Sequence, residues 1–240
     1  MARILGLGKS GFGKSTGIGK IPELGLTGLD PKTTFLITVG SRELPFPDSA
    51  NLYKTTPWNM VRGGRRIIDN DPAHIEAALK ELAGVPITAV KDIVIDDFNY
   101  VMQDWYMANA HRTGWDAPKK IGMDIGKIFS AMELYKETGK NIIVLAHGED
   151  VVQPDGRIYT KMKTTGKMVD EYVTPEGKFD VVLVGRSTYD SAAKKVVKQY
   201  LTNEDEFYTS PKSPYGMFDT LLISNDLGIV IEKVDKYYKG

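Results

Sequence analysis

The chain has 240 residues, of which 42% are hydrophobic and 26% charged, so a packed globular core is expected and disorder is not. Its 31 basic and 31 acidic side chains cancel, so any nucleic-acid contact must come from a local patch, and the absence of cysteine excludes disulfides, thiolate zinc sites and cysteine nucleophiles. No apolar run approaches the ~18 residues of a membrane span, and the amino terminus lacks a signal-peptide core, so we expect a soluble intracellular protein without a membrane partner.

The first predicted strand, residues 2–6, leads into a glycine-rich turn at residues 8–15, here termed the phosphate loop. Its sequence, Gly-Lys-Ser-Gly-Phe-Gly-Lys-Ser, matches the whole pattern G-x-x-x-x-G-K-[ST]. Small residues let successive backbone N–H groups surround a polyphosphate. A surface turn could match by chance, but the preceding strand and a second motif downstream favour nucleotide binding. The residues predicted to bind the nucleotide are Gly8, Lys9, Ser10, Gly11, Phe12, Gly13, Lys14, Ser15 and Thr16.

Two side chains of the phosphate loop have specific predicted roles. Lys14 would reach the β- and γ-phosphates, and the Ser15 hydroxyl would complete the shell of a Mg²⁺ ion. A helix is expected to start near the end of the loop and to add the positive end of its dipole. Gly17, Gly19 and Pro22 interrupt this helix early, so we expect it to be short and residues 23–32 to form a loop.

The next predicted elements are a strand and a helix. Residues 34–39 are rich in β-formers and predict a strand. Residues 73–82 have a helical pattern, and residues 69–72 supply a polar cap and a proline for its first turn.

A second motif, Asp-Ile-Val-Ile-Asp-Asp, occupies residues 92–97. Its aliphatic residues predict a buried strand that delivers a carboxylate to its carboxyl end. Asp96 is then the expected Mg²⁺ ligand, and Asp97 the general base that orients or deprotonates the attacking water. Asp69, which ends another possible strand, is a rival for the base. The alternative is a strand that merely ends in an acidic turn, which could have the same sequence. We expect the Asp96 strand to lie adjacent to the strand that precedes the phosphate loop.

The remaining elements continue the alternation of helices and strands. Helical patterns cover residues 99–110 and 124–138, and strands are predicted at residues 141–146, 179–184, 196–201 and 220–224. Such alternation predicts one α/β domain over residues 1–240, with a mainly parallel central sheet flanked by helices on both faces and an antiparallel carboxyl-terminal edge.

Several segments resemble the phage-encoded RecA-like P-loop ATPases, a group that includes proteins proposed to act in single-strand annealing and recombination. The resembling stretches are residues 8–16, 30–35, 44–46, 95–100, 145–147, 212–218 and 225–227. The resemblance implies a RecA-like P-loop core, ATP rather than GTP, and action on single-stranded DNA in phage recombination or replication. It also implies a homo-oligomer, ring or filament, in the cytoplasm of an infected host cell.

The same resemblance suggests roles for two further residues. His147 follows a strand that would lie beside the Asp96 strand, where it could hydrogen-bond the γ-phosphate or the water; a histidine simply satisfied at a strand end is the alternative. Lys212 could reach across a subunit boundary to the neighbour's γ-phosphate, as a cation that stabilises charge developing in transfer. Arg186 is a weaker candidate for that role, and an ordinary turn lysine is the alternative for Lys212.

Two loops are candidates for contact with single-stranded DNA, residues 111–120 and 148–166. Both combine cations with an aromatic residue, as stacking on single strands requires, although acidic neighbours dilute the charge and solvated loops are common. The candidate contacts are Arg112, Lys119, Lys120, Arg157, Lys161, Lys163 and Lys167.

The first hypothesis for function is therefore a Mg²⁺-dependent ATPase of RecA type that acts on single-stranded DNA. A nucleotide or small-molecule kinase is the second, although the chain has no obvious arginine-rich lid. A nucleotide-switched assembly or packaging protein is the third.

Overall fold

The structure is a computed structural model that describes residues 1–109, 116–165 and 174–239, without the side chains of residues 116–118 and 239. Its strands form a mixed nine-stranded sheet. They are β1 (Arg3–Gly8), β2 (Thr34–Thr38), β3 (Arg66–Ile68), β4 (Asp92–Asp96), β5 (Asn141–Val152), β6 (Ile158–Met162), β7 (Val181–Asp190), β8 (Lys195–Leu201) and β9 (Leu222–Ser224).

Five α-helices lie in the described ranges. They are α1 (Ser49–Leu52), α2 (Pro72–Ala83), α3 (Asn99–Ala108), α4 (Asp116–Glu133) and α5 (Leu227–Lys239). Short 3-10 turns cover Ser15–Ile18, Pro22–Leu24, Val61–Gly63, Leu134–Glu137 and Pro175–Lys178. Among these helices, none is long and apolar enough to span a membrane.

The strand order is β3-β2-β4-β5-β1-β7-β8-β9, with β6 paired to β5. The pairs from β3 to β7 are parallel, whereas β8 and β9 run antiparallel, so the predicted α/β sheet with an antiparallel carboxyl-terminal edge is confirmed. The expected adjacency of the phosphate-loop strand and the Asp96 strand is wrong. Strand β5 separates them, because Val144 pairs with Leu5 of β1 on one side and with Ile95 of β4 on the other.

Helices cover both faces of the sheet, as the alternation predicts. Side chains of consecutive β1 residues point to opposite faces, so Leu5 joins the core under α2, α3 and α4, while Ile4 joins the core that contains Val230 and Val234 of α5. Helix α2 begins where the sequence indicates, since the Asp71 carboxylate accepts a hydrogen bond from the Ala73 N–H at 2.8 Å.

Helix α5 lies outside the predicted elements, although its sequence carries a helical pattern. Leu227, Val230, Ile231 and Val234 are buried and share one face. Asp226 fixes the start of the helix, because its carboxylate accepts hydrogen bonds from the Gly228 N–H at 2.8 Å and from the Thr27 and Gly28 N–H groups at 2.6 and 3.0 Å.

Two β-hairpins extend past the carboxyl edge of β1, one on each side of the phosphate loop. Strand β5 continues beyond its predicted end to Val152 and pairs with β6, so most of the segment expected as a loop is a hairpin. Cross-strand pairs such as Glu149 with Lys161 and Val151 with Tyr159 stabilise it. Strands β7 and β8 form the second hairpin.

Candidate nucleotide-binding site

The phosphate loop connects β1 to the 3-10 turn Ser15–Ile18, so the short helix expected after it is present as a single turn. Gly11 and Gly13 have φ angles of 79° and 93°, which glycine adopts without strain. Phe12 anchors the loop, since its buried ring packs edge-on against Tyr200 with ring centroids 5.1 Å apart. A side chain at Gly8 would collide with that ring at 2.8 Å.

Two carbonyl groups of the phosphate loop are held by side chains that are distant in sequence, one on β8 and one just after β9. Lys198 Nζ donates to Gly11 O at 2.7 Å, and Asn225 Nδ2 donates to Gly13 O at 2.7 Å. Within the described residues, the only N–H group of residues 9–14 with a hydrogen bond is that of Phe12, which donates to Lys9 O. The remaining N–H groups are available to an anion, which fits a polyphosphate.

Lys14 places a buried ammonium group beneath this loop. Its Nζ donates to Gly8 O at 3.2 Å, and the residue is 5% exposed. Burial lowers the pKa of Lys14, an effect that the nearby charges of Asp97 and Asp96 oppose. A cation buried beside two carboxylates would gain further stabilisation from a phosphate.

Ser15 and Asp96 form the contact that both motifs predict. The Ser15 hydroxyl donates to Asp96 Oδ1 at 3.0 Å, although the two residues lie on elements separated by β5. Burial, and then the charge of Asp97, raises the pKa of the Asp96 carboxyl to about 6. A buried carboxylate beside a hydroxyl is an oxygen donor set that suits Mg²⁺.

Asp97 and His147 complete this cluster of polar residues. Asp97 directly follows β4, and His147 lies within β5. Asp97 has a φ angle of 60°, in the left-handed region, and its Oδ1 lies 3.6 Å from His147 Nε2. Burial and then the charge of Lys14 lower the pKa of His147, which favours its neutral form. The His147 N–H donates to the side-chain oxygen of Asn99 at 3.1 Å, which fixes the backbone here.

Asp69, the rival base, lies outside this cluster. It follows β3, the outermost strand, and β2 separates that strand from β4. Two strand spacings place it roughly 10 Å from the Asp96 strand. Its carboxylate contacts His74 Nδ1 at 3.0 Å and accepts the Asp71 N–H, so it stabilises the start of α2.

A small cavity of about 200 Å³, here termed the metal-side cavity, lies beside Ser15. Its lining includes Ser15, Asp96, Asp97, Arg42 and Glu43. The last two residues are absent from the sequence prediction, although they follow the strand at residues 34–39. The carboxyl ends of parallel strands share one edge, so polar residues after that strand are the signal that could have found them.

The loop that carries Arg42 is held in place by a buried arginine. Arg66 donates to Arg42 O at 2.8 Å through Nη2 and to Thr38 Oγ1 at 2.9 Å through Nε. The Arg42 side chain is exposed and makes no ion pair with any residue that the structure describes. Its charge also helps to lower the pKa of His147, after burial, Lys14 and Lys163. Arg42 therefore supplies a positive charge to the metal-side cavity from the same chain as Ser15 and Asp96.

The two residues predicted to act across a subunit boundary lie away from this cavity. The backbone of Lys212 pairs with Val182 through bonds of 2.8 and 3.0 Å, and Val182 lies opposite Leu5, well before the phosphate loop. The Lys212 side chain is exposed. Arg186 is engaged within the chain, because it contacts Asp205 at 2.9 Å and lies 5.0 Å from the Tyr208 ring.

The predicted nucleic-acid residues fall on two surfaces. Arg157, Lys161 and Lys163 lie on or beside the β5–β6 hairpin, where Arg157 pairs with Asp155 at 2.7 Å. Lys119 and Lys120 are exposed on α4. Arg112 and Lys167 lie outside the described residues.

The β5–β6 hairpin is connected to the phosphate loop by an ion pair. Lys9 Nζ lies 2.9 Å from Asp150 Oδ2, and Asp150 also accepts the Thr160 hydroxyl at 2.7 Å. A displacement of Lys9 would thus change or break its contact with Asp150 on the hairpin.

Comparison with known proteins adds no family to this geometry. A scan against protein-family models finds no match, and a search of curated proteins finds no matching relative.

Proposed function

We propose that the protein is a Mg²⁺-dependent ATPase of RecA type that acts on single-stranded DNA. The observation that supports it most is the 3.0 Å hydrogen bond between Ser15 and Asp96 beside the buried Lys14. This contact joins two motifs that are far apart in sequence at the point where a nucleotide-bound metal ion would need them. A glycine-rich surface turn would not require it.

In the proposed reaction, the N–H groups of the phosphate loop and Lys14 bind the β- and γ-phosphates. Ser15 and Asp96 hold Mg²⁺, which neutralises charge on the phosphates when bound. Asp97 orients the attacking water and accepts its proton. Glu43 is a second candidate for that role, because it lines the same cavity. His147, whose Nε2 lies 3.6 Å from Asp97 Oδ1, hydrogen-bonds the γ-phosphate or the attacking water. Arg42 stabilises charge that develops on the γ-phosphate.

The RecA-type part of the proposal is supported by the position of β5. The resemblance implies that the strand before His147 lies beside the Asp96 strand, and β5 does pair with β4. Action on DNA is supported by the cations of the β5–β6 hairpin and by the connection of that hairpin to Lys9.

A kinase remains the second candidate because of a cavity of about 690 Å³, here termed the hairpin cavity. It lies between the two hairpins, beside the phosphate loop, and is large enough for a small phosphate acceptor. Its lining includes Gly8, Lys9, Asp150, Arg186, Thr188 and Tyr208.

One assay separates the candidates. ATP hydrolysis would be measured alone, with single-stranded DNA, and with added nucleoside monophosphates. Stimulation by DNA supports the proposal, phosphate transfer to a monophosphate supports a kinase, and indifference to both supports a nucleotide-switched assembly protein. Lys14→Ala should abolish turnover. Unchanged turnover in that variant would contradict the assignment of the phosphate loop as the nucleotide site.

A further inference from the structure

A third cavity borders the phosphate loop on the side of β8, away from Asp96. It has a volume of about 550 Å³ and is here termed the β8 cavity. It is lined by Gly13, Thr16, Glu23, Leu24, Leu26, Val196, Lys198 and Asn225, among others. The sheet order places β8 on the opposite side of β1 from β4, so the β8 cavity and the metal-side cavity flank the loop.

The second half of the phosphate loop connects these two cavities. Ser15 lines the metal-side cavity, whereas Gly13 and Thr16 line the β8 cavity. A triphosphate is a linear chain, and its metal-bound end is positioned by Ser15 and Asp96. Its other end must then leave the loop on the far side, where the β8 cavity begins.

A flat apolar group fits the apolar part of the β8 cavity, whose other walls include the charged residues Glu23, Lys195 and Lys198. Leu24 and Val196 are 64% and 56% exposed, so their side chains have apolar surface that the protein core does not cover, and Leu26 adds a buried side chain. Ligand sites are commonly lined by apolar side chains with a few polar groups. Asn225 supplies one polar wall and is held in place by its bond to Gly13 O.

The hairpin cavity is a poorer site for such a group. It is lined by the first half of the loop, and its charged walls include the Lys9–Asp150 pair and Arg186, which is bonded to Asp205. A base placed there would cover ion pairs that are already formed, whereas the β8 cavity offers the uncovered apolar surface of Leu24.

We propose that the β8 cavity binds the nucleoside of ATP, with its ring against Leu24. This inference rests on the proposed ATPase function and adds the direction in which the nucleotide crosses the phosphate loop. Val196 lines both large cavities, whereas Leu24 lines only the β8 cavity and Thr188 only the hairpin cavity. Leu24 and Thr188 therefore distinguish the two sites.

The test compares the affinities of ATP and inorganic tripolyphosphate, each with Mg²⁺, by calorimetry. Wild-type protein should bind ATP at least about tenfold more tightly, because only ATP can use the cavity. Leu24→Glu should weaken ATP binding about tenfold and leave tripolyphosphate binding unchanged, which also shows that the variant is folded. Thr188→Glu adds the same charge at an exposed position and should change neither affinity.

Three results would overturn the inference while leaving the phosphate site intact. They are equal wild-type affinities for ATP and tripolyphosphate, an ATP affinity that Leu24→Glu does not change, and a selective loss of ATP binding in Thr188→Glu. If wild-type protein binds neither ATP nor tripolyphosphate, the proposed ATPase function itself is contradicted.

Discussion

At the scale of single residues, two neighbouring carboxylates occupy different environments. Asp96 is 5% exposed at the end of β4, whereas Asp97 turns the chain with a positive φ angle. Burial makes the charged form of Asp96 costly in protein without metal, and its raised pKa expresses that cost. The candidate metal ligand thus reduces the stability of the fold until a metal ion is bound.

This cost predicts how stability depends on pH. The folded-state pKa of Asp96, about 6, lies above its ordinary value of 3.8, so ionisation of Asp96 reduces stability as pH rises through 6. Asp96→Asn should therefore raise the free energy of unfolding at pH 8 by up to about 3 kcal/mol and leave it unchanged near pH 3. Urea unfolding in EDTA measures this, with Glu81→Gln as an exposed control. A gain that is equal at both pH values would contradict it.

The conformation of Asp97 decides which substitution tests its role. Asparagine tolerates a positive φ angle, so Asp97→Asn should remain folded, bind ATP and lose most hydrolysis. Asp97→Ala should in addition lose about 1 kcal/mol of stability. Turnover and ATP affinity would be measured separately, with Asp69→Asn as a control that keeps activity. Loss of turnover in Glu43→Gln, with Asp97→Asn still active, would transfer the base role to Glu43.

At the scale of elements, the β5–β6 hairpin and α4 are the two candidate surfaces for the proposed contact with DNA. The hairpin is the better candidate because Lys9 and Asp150 connect it to the phosphate loop, so nucleotide and DNA could influence each other through it. The ion pair itself adds little stability, since Lys9 is 76% exposed.

Paired substitutions on the two elements should separate these surfaces. Lys161→Ala combined with Lys163→Ala should weaken binding of single-stranded DNA and reduce the dependence of affinity on salt, because phosphate contacts are lost. Lys119→Ala combined with Lys120→Ala removes the same charge from α4 and should have no effect. Fluorescence anisotropy at several salt concentrations measures both. The opposite pattern would place the contact on α4.

At the scale of the whole molecule, the question is whether one chain contains a complete site. Arg42 lies at the metal-side cavity of its own chain, whereas Lys212 is exposed far from its own phosphate loop. A cation in the same chain would make each subunit self-sufficient. A cation from a neighbour would make activity depend on assembly.

Mixing inactive variants distinguishes these arrangements. Lys212→Ala mixed with Lys14→Ala should recover activity if Lys212 acts on the neighbour, because some interfaces then combine an intact loop with an intact lysine. Arg42→Ala mixed with Lys14→Ala should recover none, because no chain has both residues. Turnover in titrated mixtures is the measurement. Recovery in the second mixture would show that Arg42 acts across an interface.

The sequence by itself determined the features that depend on neighbouring residues. The phosphate loop, the Asp96 strand and the cap of α2 each arise from a few consecutive side chains that select a backbone conformation. The same local reasoning could have found α5 from the spacing of Leu227, Val230 and Val234.

Only the tertiary structure decided which of these local features meet. It inserted β5 between β1 and β4 and brought Arg42 and Glu43 to the metal-side cavity. Lys198 and Asn225 reach the phosphate loop across separations of 187 and 212 residues. Such contacts depend on strand order and on packing across the whole sheet, and no local pattern of side chains encodes them.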